Sequence, residues 1–133
     1  MNLDSNEGPN KNILGSKGAY SIREYFINKR NSCTLNYLYL KGCSLANEGV
    51  IILSEGLRCN QSLIGLNLRG NLFNKKGLIY LIKRAPRSLK ELDISDNEIK
   101  DKGIIAFSEI LFNHNNINFN SDSEDEIVRE NSP

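Results

Sequence analysis

Three stretches of this sequence superpose on one another: LNYLYLKGCSL from Leu35, LIGLNLRGNLF from Leu63 and LKELDISDNEI from Leu89. Each obeys L-x-x-L-x-L-x-x-(N/C)-x-(L/I/F), and the three starts lie 28 and 26 residues apart. A second block carrying a fixed glycine follows each: ANEGVIILSEGL, NKKGLIYLIKRA and KDKGIIAFSEIL. Gly49, Gly77 and Gly103 fall fourteen residues after the first leucine of their unit. A unit of this length cannot bury its own apolar face, so neighbouring units must stack and share one core.

The apolar spacing within each unit changes from one half to the other. In the first half Leu38 and Leu40 alternate, as do Leu66 and Leu68, and Leu92 and Ile94, which puts each pair on one face of a strand. In the second half Val50, Leu53 and Leu57 recur at helical spacing, as do Leu78, Leu81 and Ala85, and Ile104, Phe107 and Leu111. Glycine just inside a helix costs up to about 1 kcal/mol of intrinsic propensity, so close approach of the first turn to its neighbours is expected. Asn47, Asn74 and Asp101 lie where they can cap the three helix starts. The second unit is two residues short, and Pro86 in that gap ends its helix early.

The repeat resembles the ribonuclease-inhibitor-like leucine-rich repeats, over roughly residues 35–112. That resemblance implies an α/β solenoid of right-handed strand–helix units, with short parallel strands on the concave side and helices on the convex side. It also implies a turn ladder: Asn71 and Asn97 hold the position whose side chain hydrogen-bonds turn backbone between units, and Cys43 fills it in the first unit.

The expected organisation follows. Residues 1–16 are read as a disordered N-terminus, and 17–34 as a capping helix and connection, from the spacing of Gly18, Ile22 and Phe26. The helix, over residues 17–30, is expected to lack a strand of its own. The array spans 35–116 in units 35–62, 63–88 and 89–116. Residues 117–133 are read as an irregular last strand, in which Ile117, 28 residues after Leu89, either begins a fourth copy of the motif or forms the inward pair with Phe119, and an acidic disordered tail. A piece of a longer array is an open alternative.

Bulk properties narrow the function. The 133 residues carry 17 Lys and Arg against 16 Asp and Glu, a net charge of +1, so no bulk attraction to nucleic acid or anionic membrane is expected. The first twelve residues hold no apolar signal core, and no apolar run approaches the length of a membrane span, so a cytoplasmic or nuclear location is expected. Cys33, Cys43 and Cys59 form no CxxC pair and fit reduced thiols. The sequon Asn60-Gln61-Ser62 is accordingly read as unused.

Chemistry finds little foothold. The single histidine, His114, stands among asparagines, and no phosphate loop, HExxH or GxSxG motif is present. Glu91 and Asp93 leave one strand on the same side, but an open sheet face lacks the enclosure that would separate their pKa values. No cofactor, no metal and no catalysis are expected. The outward strand positions form three rows: Tyr37–Gly65–Glu91, Tyr39–Asn67–Asp93 and Lys41–Arg69–Ser95. Tyrosines and an arginine are residue types that anchor protein interfaces, so this concave face is the expected site for a protein partner. Packing of Tyr37 against Tyr39 across a solvated sheet is the competing account. Gly65 leaves either a shallow notch or room for the Tyr37 ring. Lys41 beside Arg69 points to an acidic partner or to the diagonal Asp93. The chain is expected to be a monomeric scaffold or adaptor. A regulator of a small GTPase, in the manner of the Ran GTPase-activating proteins, is the alternative. In the acidic run SDSEDE, Ser121 and Ser123 each have a glutamate three residues on and are candidate phosphorylation sites.

Overall fold

A computed structural model describes residues 1–4 and 14–100 of the chain. Helix and strand alternate: α1 (Gly15–Asn28), β1 (Tyr37–Tyr39), α2 (Ala46–Leu57), β2 (Gly65–Asn67), α3 (Lys75–Arg84) and β3 (Glu91–Asp93). The strands form one parallel sheet in the order β1-β2-β3. Parallel neighbours require a crossover, and here the crossovers are α2 and α3. Helix α1 packs on α2, and α2 on α3. The chain is thus an α/β repeat protein. The candidate third helix around Gly103, Ile104, Phe107 and Leu111 lies outside the described residues, as do Asp101, His114, Ile117 and Phe119.

The core lies between sheet and helices. Leu38, Leu40, Leu66 and Leu68 enter it from the strand segments, and Val50, Leu53, Leu57, Leu78 and Leu81 from the helices; all are buried. Each such side chain contributes about 1.5–3 kcal/mol relative to exposure. Ala19, Ile22 and Phe26 of α1 close the near end. Leu92 and Ile94 are only partly buried against the same cluster. The repeat glycines follow from this packing. A Cβ on Gly49 would meet the Leu45 side chain at 2.9 Å, and one on Gly77 would meet Asn47 Oδ1 at 2.8 Å and Phe73 Cβ at 3.2 Å. Helix α3 stops at Arg84, and Ala85, the residue before Pro86, turns to ψ 139°. Ala85 therefore lies beyond the helix and is only half-buried, so the buried face of this helix ends at Leu81 and Ile82.

Two expectations change at the near end. Residues 1–4 are not without structure: Asn2 bridges Tyr39 in parallel, and Leu3 N donates to Tyr39 O at 2.7 Å. That bond repeats those from Leu40 N to Asn67 O and from Leu68 N to Asp93 O. Leu3 therefore stands one unit before Leu40. Helix α1 is not a helix without a strand, because Met1–Asp4 fills the strand position alongside β1. Gly15 N donates to Cys43 O just as Ala46 N donates to Asn71 O, so the helix start is in phase as well.

The caps also differ from expectation. Asn74 caps α3 by accepting from Lys76 N at 2.9 Å. Asn47 does not cap its own helix, whose N-cap position is Leu45. Its Oδ1 accepts from Asn74 N and Gly77 N, at 3.0 and 3.2 Å, and so serves the start of the next unit's helix.

Candidate functional site

The outward face of the sheet is built by pairing. Tyr37 stands opposite Gly65 and Gly65 opposite Glu91, while Tyr39, Asn67 and Asp93 form the second row. The rings of Tyr37 and Tyr39 stack nearly parallel, with centroids 6.3 Å apart, and both remain 38% exposed. A Cβ on Gly65 would lie 2.6 Å from Tyr37 Cδ1, so the ring covers the glycine. Of the two readings of Gly65, room for the ring is the one found. A shallow recess of about 240 Å³ remains between the tyrosines and the Glu91–Asp93 strand.

The third row is tied to turns. Arg69 Nε donates to Asp96 Oδ2 at 2.7 Å, so its hydrogen-bond partner among the described residues is Asp96 rather than Asp93. Arg69 N donates to Asn67 Oδ1 and Ser95 N to Asp93 Oδ1, the same Asx turn in two successive units. Tyr39 has no side-chain oxygen in place to receive Lys41 N, and Asp4 Oδ1 supplies one across the sheet at 2.7 Å. The two Ser95 hydrogen bonds, side chain first, hold the Asp93 carboxyl below its ordinary value, aided by the nearby Arg69 and Lys41 charges. A carboxylate poised as a general acid would be shifted upward. Asp93 is shifted the other way, which favours its negative charge.

Beneath this face runs the turn ladder. Asn71 Nδ2 donates to Leu40 O and Leu68 O at 2.7 and 3.0 Å, and its Oδ1 accepts from Cys43 N and Leu45 N. Asn97 repeats the arrangement one unit on, donating to Leu68 O and Ile94 O and accepting from Asn71 N. The buried Cys43 thiol donates to Leu3 O at 3.0 Å, the carbonyl equivalent to Leu40 O. A second ladder was missed by sequence reasoning. Ser62 Oγ donates to Leu35 O and Ser88 Oγ to Leu63 O, each reaching back one unit. The available signal was the hydroxyl residue before each first leucine: Thr34, Ser62 and Ser88. Asn60 of the sequon is buried, and its amide is engaged: Oδ1 accepts from Ser62 N and Leu63 N.

Among the described residues no group of three or more His, Cys, Asp or Glu is placed to hold a metal ion, and no helix is long and apolar enough to cross a membrane. Ser121 and Ser123 lie outside the described residues.

Comparison with known proteins gives the same class. A family model described as Leucine Rich repeat matches residues 31–54 and 85–108. Each match takes in a strand and the turn after it, which supports a leucine-rich repeat class for these two stretches. Among solved structures, "Leiomodin-1 Actin-Binding Site 2 (ABS2)" is similar in fold, with a TM-score of 0.65 at 12% identity over 98% of this chain and 76% of that one. Leucine-rich repeat domains generally mediate protein–protein interaction, and the matches fit a binding role.

Proposed function

We propose that this chain is a non-catalytic scaffold or adaptor, a short solenoid of the ribonuclease-inhibitor-like type with units 35–62, 63–88 and 89–116, which engages a protein partner through its concave strand face. The observation that carries this reading is the stacked, exposed pair Tyr37–Tyr39 facing Glu91 across Gly65. Two aromatic rings held rigid by a glycine seat offer large contact area at low entropic cost. Glu91 and Asp93 add negative charge, whereas the Arg69 charge is largely consumed by Asp96. The partner surface is therefore apolar with a basic component, which reverses the acidic partner expected from Lys41 and Arg69.

The test is affinity capture with the native chain and with Tyr37→Ala/Tyr39→Ala/Glu91→Gln. The triple variant should keep its thermal midpoint within a few degrees and lose the captured partner. Undiminished capture by a folded triple variant would refute the concave-face reading. Actin enters only through the leiomodin likeness, which carries fold and not function. Co-sedimentation with filaments tests it directly.

A further inference from the structure

The net charge of +1 conceals a segregation. Residues 1–4 and 14–100 hold 14 Lys and Arg against 8 Asp and Glu, whereas residues 101–133 hold 2 against 7. Much of the positive excess collects at one edge of the repeat stack. Lys29 and Arg58 are the C-cap residues of α1 and α2, Lys83 and Arg84 lie in the last turn of α3, and Arg30 and Arg87 follow just beyond. Topology forces them together, because every helix-to-strand connection of a parallel repeat leaves from the same end. Between the last two connections opens a cavity of about 540 Å³, with Arg58, Lys83, Arg84 and Arg87 in its wall and no carboxylate.

Favourable placement at helix C-termini accounts for cations in the last turns. It does not account for Arg30 and Arg87, which stand outside the helices, or for a recess lined by four cations. The Asn60 amide and the Ser88 hydroxyl in that wall are already committed to backbone partners. Among the described residues Arg58 and Arg87 form no ion pair. Their guanidinium groups remain available for planar, two-pronged recognition of carboxylate or phosphate.

We propose that this basic edge is the docking site for the chain's own acidic segment, Ser121–Glu126. Its sequence SDSEDE supplies four carboxylates, Asp122, Glu124, Asp125 and Glu126, against a recess that presents the Arg58 and Arg87 guanidinium groups. With residues 89–116 folded as the proposed third unit, its helix-to-strand connection leaves from this same edge, and the five residues to Ser121 add at most about 18 Å. Tethering gives the segment an effective concentration on the order of millimolar, which lets weak, salt-sensitive pairs accumulate. Phosphate on Ser121 or Ser123 would add about −1.5 to −2 charge per site and tighten the contact. The edge lies on the helix-to-strand side and is separate from the face that carries Tyr37 and Tyr39.

The experiment is amide NMR on the full chain at low salt, compared with Asp122→Asn/Glu124→Gln/Asp125→Asn/Glu126→Gln. Neutralising the segment should move the signals of residues 58–62 and 83–90 and leave those of Leu38, Leu53 and Leu66 in place. The difference should vanish near 1 M salt, where screening acts over about 3 Å. In the native chain Arg58→Glu/Arg87→Glu should move the amides of residues 121–126. Unchanged edge signals on neutralisation would overturn the proposal. So would saturation of the edge by an added oligonucleotide or foreign acidic peptide with equal affinity in both chains, since a tethered occupant must compete. None of these readings depends on whether the strand face binds a partner.

Discussion

Asn71 and Cys43 occupy the same slot in successive units and do different amounts of work. The Asn71 amide both donates and accepts: it closes its own turn, reaches back to Leu40 O, and receives the N–H groups of Cys43 and Leu45. Among the described residues the Cys43 thiol donates to Leu3 O and more loosely to Lys41 O. An amide can satisfy two turns at once because it presents opposite polarity at its two ends, whereas a thiol is a weak donor and a weaker acceptor. Slot for slot, the described amide bonds are therefore the stronger ones.

The comparison breaks most severely at Asn71→Ala. Removing a fully buried amide strands the N–H groups of Cys43 and Leu45 and the carbonyl of Leu40 together, while Leu68 O keeps its bond from Asn97. Each buried orphan costs on the order of 1–3 kcal/mol, partly relieved if water enters, so the expected loss is about 4 kcal/mol. Urea unfolding monitored by circular dichroism measures it, and a loss under about 1 kcal/mol would mean the ladder is ornamental. Asn71→Cys makes the second unit like the first. It retains a donor to Leu40 O but no adequate acceptor for two N–H groups, for an expected loss of about 2 kcal/mol.

The repeat made most of this legible. Strand register, inward leucines and the ladder positions all follow from aligning three copies, since stacked units must place equivalent residues opposite one another. What escaped was information held between units or in incomplete ones. Met1–Leu3 carries too little of the motif to align, and only the bond from Leu3 N to Tyr39 O reveals its place. Asn47 looks like a local cap, but its acceptor is spent on the following unit. Arg69 sits beside Lys41 by row, yet the turn brings Asp96, absent from every row, to within 2.7 Å. The basic edge was hidden because totals of charge carry no positions.

A smaller effect distinguishes the two Asx turns, Asn67–Arg69 and Asp93–Ser95, which share one geometry but not one titration. Asp93 has a folded pKa below its unfolded value, because its ionised form accepts from Ser95. Its contribution to stability is thus fully present above the unfolded value. It is lost as pH falls through the ordinary carboxylate range and then through the depressed folded value. Asp93→Asn should flatten this part of the stability profile below about pH 4, while Asn67→Ala should shift the curve without changing its slope there. An unaltered acid limb in Asp93→Asn, followed by denaturant midpoints at stepped pH, would assign the low-pH loss to other carboxylates.

Cys43→Ala should produce the smallest change and the most localised one. The described bonds lost are the weak thiol donations to Leu3 O and Lys41 O, and a sulfur is a far weaker acceptor than the Asn71 oxygen that receives Cys43 N and Leu45 N. Trimming the thiol also leaves a space of roughly one heavy atom, so the total loss should stay near 1 kcal/mol. Its consequence falls on the first strand position, where Leu3 and Tyr39 remain joined by backbone alone. Amide exchange at Leu3 and Tyr39 should accelerate severalfold, with Leu68 and Asn71 unaffected, because fraying confined to Met1–Asp4 does not open the inner junctions. If exchange instead quickens throughout the sheet, the thiol supports the whole stack, and the inequality between Cys43 and Asn71 disappears.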